Sequence, residues 1–225
     1  FLHGEITDIT GDGAPEVLAL FLYSYNQALA FDAAGNIVLP PDYDNDRKFG
    51  VNIDLPQGLM MANVFGDDRR HFVLAGASRV YVYWADGEHI GFPGFKAEGS
   101  CVALASLARD AEPPIIFSAD NMGSVTARRA KPPRPDEWIL FDTVWSLVIG
   151  HKISRLTTAD VDGDGAAELL IGHKSGAVRV VDALTGATEA LSAATGSPVV
   201  GFDRDGGRVL VLHADGLVEM LAVGK

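Results

Sequence analysis

The sequence predicts an all-β protein built from about five repeats of four short strands, and three observations carry that expectation. The 225 residues break into short runs rich in Val, Ile, Leu, Phe and Tyr, separated by turns containing Asp, Asn and Gly, with no capped helical period. The turn positions Asn26, Ser78, Gly123, Gly176 and Gly216 follow one another at intervals of 52, 45, 53 and 40 residues. Four short strands at that interval describe the blade of a β-propeller. The third observation is the acidic stretch Asp160-Val161-Asp162-Gly163-Asp164-Gly165-Ala166-Ala167-Glu168, of which Asp8-Ile9-Thr10-Gly11-Asp12-Gly13-Ala14-Pro15-Glu16 is a near copy. Each is followed by an apolar run, Leu169-Leu170-Ile171-Gly172 and Val17-Leu18-Ala19-Leu20, so loop and strand recur together.

Taken in order, the repeats span 1–57, 58–98, 99–146, 147–195 and 196–225 and are expected to form one propeller domain, or part of a larger ring. The first should hold strands at 16–23, 27–31 and 37–39, turning near Asn26 and over Asp32–Asn36. The second reads as strands at 59–64, 71–76, 80–84 and 88–92. The third reads as 101–107, 114–118, 124–128 and 137–141, the last reached over the Pro-rich link Lys131-Pro132-Pro133-Arg134-Pro135. The fourth, with strands at 153–159, 169–172, 177–182 and 187–191, is the clearest. The fifth has 198–202, 208–213 and 217–223 and stops one strand short. Several of these runs are apolar without alternation, as strands packed between neighbouring sheets should be.

Composition narrows the function. A formal net charge of −12 argues against binding to nucleic acid, which needs clustered Lys and Arg. Cys101 is the single cysteine, so no internal disulfide forms, and its apolar setting suits a small buried residue. No apolar run reaches the length of a membrane span, so membrane insertion is not expected. Residues 1–5 read neither as a signal peptide nor as a usual start, which suggests a segment of something longer.

The acidic stretches have the chemistry of a cation loop. Oxygen-bearing side chains at positions 1, 3 and 5, a glycine that lets the chain fold back, and a carboxylate at position 9 can wrap a hard cation such as Ca²⁺. The alternative is that these acids only build tight turns. Four carboxylates within nine residues would repel one another, which favours an ion at 160–168. A helix-flanked calcium loop would need an acid at position 12, where Ile171 stands instead.

The stretch from Thr158 and Ala159 through Gly172, with Thr7 through Val17, resembles the FG-GAP/VCBS repeat family, whose blades, like those of the integrin α-subunit propeller, carry short calcium loops between first and second strands. The resemblance implies that Asp160, Asp162, Asp164 and Glu168 with the Ala166 carbonyl hold Ca²⁺ in the fourth repeat. In the first it implies Asp8, Thr10, Asp12 and Glu16 with the Ala14 carbonyl. Thr10 replaces a carboxylate by a hydroxyl, so the first site should bind more weakly. The second repeat reads Asn63-Val64-Phe65-Gly66-Asp67-Asp68-Arg69-Arg70-His71, with Phe, Arg and His where oxygens should be. With Arg109–Glu112 and Asp203–Gly207 it reads as a loop without metal.

The second-to-third strand turns lie at the opposite end of each blade and form the expected ligand face. Its candidates are Asn26, Arg79, Asn121, His151, His173, Lys174, His213 and Asp215, with the histidines read as ordinary polar loop residues in preference to ligands. Trp84, Trp138 and Trp145 suit core packing better than sugar stacking. No zinc-type histidine spacing, nucleophile elbow or phosphate-cradling glycine loop occurs in the sequence. The leading expectation is therefore a noncatalytic, calcium-stabilised propeller that binds a protein or a carbohydrate, with cell adhesion as one such role. A polysaccharide-active enzyme or its accessory domain, and a structural subunit whose ring is completed by other subunits or blades, are the alternatives. Calcium loops of modest affinity suit an extracellular, periplasmic or cell-surface location.

Overall fold

The structure is a computed structural model that describes residues 3–9, 12–21, 27–39, 58–66, 71–77, 79–84, 94–96, 99–109, 112–131, 141–205 and 208–221. Every regular element among them is a strand, and the strands form five small antiparallel sheets. The first contains β1 (His3–Thr7), β2 (Glu16–Phe21), β3 (Gln27–Phe31) and β4 (Ile37–Leu39); the second contains β5 (Gly58–Ala62), β6 (His71–Ala75), β7 (Arg79–Trp84) and β8 (Gly94–Lys96). The third contains β9 (Cys101–Arg109), β10 (Glu112–Asp120), β11 (Ser124–Ala130) and β12 (Phe141–Val148). The fourth contains β13 (Ile153–Ala159), β14 (Glu168–His173), β15 (Val178–Asp182) and β16 (Thr188–Leu191), and the fifth contains β17 (Val199–Asp205), β18 (Arg208–His213) and β19 (Val218–Leu221). Strands follow one another across each sheet in chain order.

The fourth strand of the second sheet is Gly94–Lys96, while the expected 88–92 lies outside the described residues, and two further departures from the sequence reading have plain causes. The fourth strand of the third sheet is Phe141–Val148, whereas the sequence pointed to 137–141, of which all but Phe141 lies outside the described residues. The run at 137–141 is the more apolar, but an outermost strand packs only one face: Trp145 and Leu147 are partly buried against the core while Asp142, Val144 and Ser146 are exposed. The polar strand β1 has no apolar run to mark it in the sequence, yet it pairs residue for residue with β2, from His3↔Leu20 to Thr7↔Glu16. The fifth sheet has three strands, as expected. Residues 132–135 of the expected Pro-rich link and Trp138 lie outside the described residues, and nothing is described of the Trp84 side chain.

Contacts divide the chain into two compact units, one of 1–101, 108–114 and 130–141, the other of 102–107, 115–129 and 142–225. In the first, Leu18 and Ala30 of the first sheet meet Leu59, Phe72 and Leu74 of the second. In the other, Ile115 and Phe117 of the third sheet pack with Leu169, Ile171 and Val181 of the fourth. The opposite face of the fourth sheet, with Leu170, Val178 and Val180, packs on Val199, Val209 and Val211 of the fifth. Each fully buried side chain of this kind contributes about 1.5–3 kcal/mol. The unbroken apolar run at 169–172 inside β14 follows from this sandwiching: Leu169 and Ile171 face one neighbour, Leu170 the other. Gly172 serves the same packing, since a Cβ there would lie 2.7 Å from Val199 Cγ1. Trp145 is a packing residue; its Nε1 donates to Ala183 O at 3.0 Å and its ring lies 5.7 Å from that of Phe117.

Candidate metal centres

Both acidic loops join the first strand of a sheet to the second, and their described residues close them in the same way. The last residue of the first strand pairs with the closing glutamate, Thr7 with Glu16 and Ala159 with Glu168. That places each glutamate at the start of a strand, where it is buried, at 3% exposure for Glu16 and 4% for Glu168. The backbone N–H at loop position 2 reaches back to it: Ile9 N donates to Glu16 Oε2 at 2.6 Å, and Val161 N to Glu168 Oε2 at 2.7 Å. The remaining acids fold the loop round themselves. Asp160 accepts from Gly163 N and Gly165 N, Asp162 from Asp164 N, and Asp164 from Ala166 N, at 2.7, 3.2, 3.0 and 2.7 Å. In the first loop Asp8 accepts from Gly13 N and Asp12 from Ala14 N, at 3.2 and 2.8 Å.

This folding gathers carboxylates. One oxygen each of Asp160, Asp162 and Glu168 lies within 4.8 Å of the others, and one each of Asp8, Asp12 and Glu16 does the same. Ligands on one Ca²⁺ at about 2.3–2.6 Å can be no more than about 5 Å apart, so both triads fit a shared cation, and hard oxygen donors suit it. Asp164 stands outside its triad and is exposed. Thr10 lies outside the described residues, and Ala14 and Ala166 occupy their expected loop positions.

Electrostatics favours a counter-charge. Burial pushes the Glu168 carboxyl above its ordinary range against the pull of the Val161 N–H, and the negative charges of Glu189, Asp162 and Asp160 push the same way. Glu189 on β16 is raised by burial and by Asp182, Asp162 and Asp164.

The second sheet keeps the frame and changes the chemistry. Ala62 pairs with His71, and Val64 N donates to His71 Nδ1 at 3.3 Å, the same seven-residue closure as in the acidic loops. His71 is fully buried, with its ring edge-on to Phe65 at 4.6 Å. The neutral imidazole does the glutamate's structural work without its charge. The alignment of His71 with Glu16 and Glu168 was the sequence signal for this substitution.

The ligand-face residues fare unevenly. Asn121, Lys174 and Asp215 are exposed in the turns after β10, β14 and β18, Arg79 is exposed at the start of β7, His151 is exposed ahead of β13, and Asn26 lies outside the described residues. His173 and His213, expected as polar loop residues, are instead strand ends exposed by 2% and 1%. The cause is the linker before each sheet, which folds over them. Thr195 Oγ1 and Ser197 O lie 3.1 and 3.0 Å from His213 Nδ1, and the His151 ring lies 6.0 Å from that of His173.

No family model matches the sequence, and no curated protein matches it. Among solved structures, BBS1N in complex with ARL6DN is similar over 99% of this chain and 65% of its own, with a TM-score of 0.68 at 17% identity. The WD40 β-propeller domain of Doa1 is similar over 95% of this chain and 62% of its own, with a TM-score of 0.63 at 12% identity. BamB from Moraxella catarrhalis is similar over 91% and 53%, with a TM-score of 0.53 at 13% identity. This chain thus spans less than two thirds of each of these structures. At such identities the likeness is one of fold, and the fold is that of a β-propeller.

Proposed function

We propose that the chain is a noncatalytic interaction module, a five-bladed stretch of β-propeller whose first and fourth blades are stapled by Ca²⁺ and whose opposite turns receive a protein or carbohydrate. The observation that carries this reading is the pair of carboxylate triads, built in the same way at the same place in two sheets of a propeller fold. Asp160, Asp162 and Glu168, with Asp164 and the Ala166 carbonyl, would hold one ion, and Asp8, Asp12 and Glu16, with Thr10 and the Ala14 carbonyl, the other. The ion offsets buried like charge and fixes each loop. That role is structural, and it aligns the chain with FG-GAP/VCBS repeats. Such loops suit a calcium-rich extracellular, periplasmic or cell-surface setting.

Propellers serve widely as rigid platforms, and the solved complex of BBS1N with ARL6DN is one propeller seen with a protein partner. A peptide and glycan array, probed with the chain in calcium and in chelator, tests the proposal. Binding to at least one array member, weakened by chelator, is expected. No binding on either array, together with turnover of a polysaccharide, would overturn it in favour of the enzyme reading.

A second reading, a structural subunit, is favoured by the fifth sheet. Leu212, Val218 and Met220 are 44, 56 and 55% exposed and project from the face opposite the buried Val209 and Val211. Equivalent faces of the first and fourth sheets are covered by a following sheet, so a further sheet of the same kind is the fitting occupant. Mass spectrometry of native assemblies would identify it.

A further inference from the structure

The fourth and fifth sheets place a buried histidine at the same point and surround it with opposite charge. His173 N donates to Ala177 O while His173 O accepts from Gly176 N; likewise His213 N donates to Leu217 O and His213 O accepts from Gly216 N. The residue six positions on, in the third strand, lies on the same side of the sheet as the histidine, as the pairings Ile171↔Arg179 and Val211↔Glu219 require. In the fifth sheet it is Glu219, whose carboxylate meets His213 Nε2 at 2.9 Å. In the fourth it is Arg179.

The fourth sheet therefore has donors where the fifth has a matched pair. His173 Nε2 and Arg179 Nε are both buried, and neither has a hydrogen-bond partner among the described residues. Buried polar groups in folded proteins are nearly always satisfied. The guanidinium is already fixed, because Arg179 Nη1 donates to Thr188 Oγ1 at 3.1 Å. Burial, with the neighbouring charges of Arg179 and His151, holds the His173 imidazole below its usual range, so it is neutral at physiological pH. Exposed His151, Lys152 and Lys174 lie at the same sheet end, where Lys174 N donates to Lys152 O at 2.9 Å.

We propose that the His173–Arg179 corner is a carboxylate-binding site, where an incoming carboxylate takes the place that Glu219 fills beside His213. Its oxygens accept from Arg179 Nε–H and from His173 with the proton on Nε2, a charge-assisted pair of the kind that gives strong, directional recognition. The carboxylate can belong to a small molecule or to an acidic side chain of a protein partner. The inference rests on the interaction reading for the existence of a partner and is independent of the metal loops.

The test is NMR of the full chain in calcium and chloride buffer, following the His173 ring resonances during titration with acetate and, separately, with a glutamate-rich peptide. A saturable shift at His173 is expected. Saturation by acetate assigns the site to free carboxylates, and saturation by the peptide alone assigns it to acidic side chains. Arg179→Met should weaken binding at least tenfold, while Lys174→Ala should change it less than threefold. Arg179→Glu, which gives the fourth sheet the internal carboxylate of the fifth, should abolish binding and melt no lower than the parent chain, which separates loss of the site from loss of the fold. Unmoved His173 resonances with both probes, or full binding by Arg179→Met, would overturn the proposal. Array binding would in that case still stand, so failure here is distinguishable from failure of the interaction reading.

Discussion

Replacing Glu168 by glutamine and by alanine separates its two roles, acceptor and charge. The buried Oε2 accepts from Val161 N at 2.7 Å. Alanine strands that buried N–H, at about 1–3 kcal/mol, whereas glutamine keeps an acceptor and removes a negative charge from among Asp160, Asp162 and Glu189. With chelator, then, Glu168→Ala should be destabilised by that amount and Glu168→Gln should match or exceed the parent. With calcium about a hundredfold above Kd, the parent gains about 2.7 kcal/mol, equivalent to about 5–10 °C in Tm for a chain of this size. Both variants should lose most of that gain. The assay is thermal and urea unfolding of three proteins in calcium and in chelator. A Glu168→Gln variant that gains as much from calcium as the parent would refute the reasoning, because the carboxylate would then be a turn-builder alone.

Three further outcomes follow from particular contacts. His71→Leu should lose about 1–3 kcal/mol in urea unfolding, equally with calcium and with chelator, since it strands the buried Val64 N–H in a loop whose closing residue is a histidine in place of the glutamate; a calcium-dependent loss would contradict this. His173 is depressed in the folded state from an ordinary 6.5, so the unfolded chain binds the proton first: its contribution to stability is complete above pH 6.5 and is lost as pH falls below it toward the folded value. Urea midpoints between pH 7.5 and 5 should show that fall, and it should flatten in His173→Gln. Gly176→Ala should cost more than Gly216→Ala. Both have φ near +90°, but a Cβ at 176 runs into Thr195 Oγ1 and the Ser197 carbonyl, while one at 216 meets nothing within 4 Å. Equal Tm losses would show that the linker yields freely.

What could be read from the sequence was what short-range chemistry dictates. The spacing of Asp160, Asp162 and Glu168 determines a loop that brings their oxygens together, and the apolar runs after each loop determine strands sandwiched between sheets. The turn residues Gly123, Gly176 and Gly216 lie between the second and third strands of the third, fourth and fifth sheets, each at positive φ. Legibility failed where the cause lies far along the chain. His173 and His213 end apolar runs and look like loop residues until the linkers at 149–152 and 193–198 fold over them. Nothing local says that Gly172 must admit Val199, or that Gly186 must admit the Trp145 ring, whose Cδ2 would lie 2.8 Å from a Cβ there. The contrast between Arg179 and Glu219 was visible as residue types, but their equivalence needed the strand register.

The claim that the acidic loops are cation sites is tested most directly by counting. Isothermal titration of calcium into the chelator-stripped chain should give two ions per chain, the tighter abolished by Asp160→Asn and the weaker by Asp8→Asn. No saturable binding at millimolar calcium, or two ions that survive both substitutions together, would contradict it.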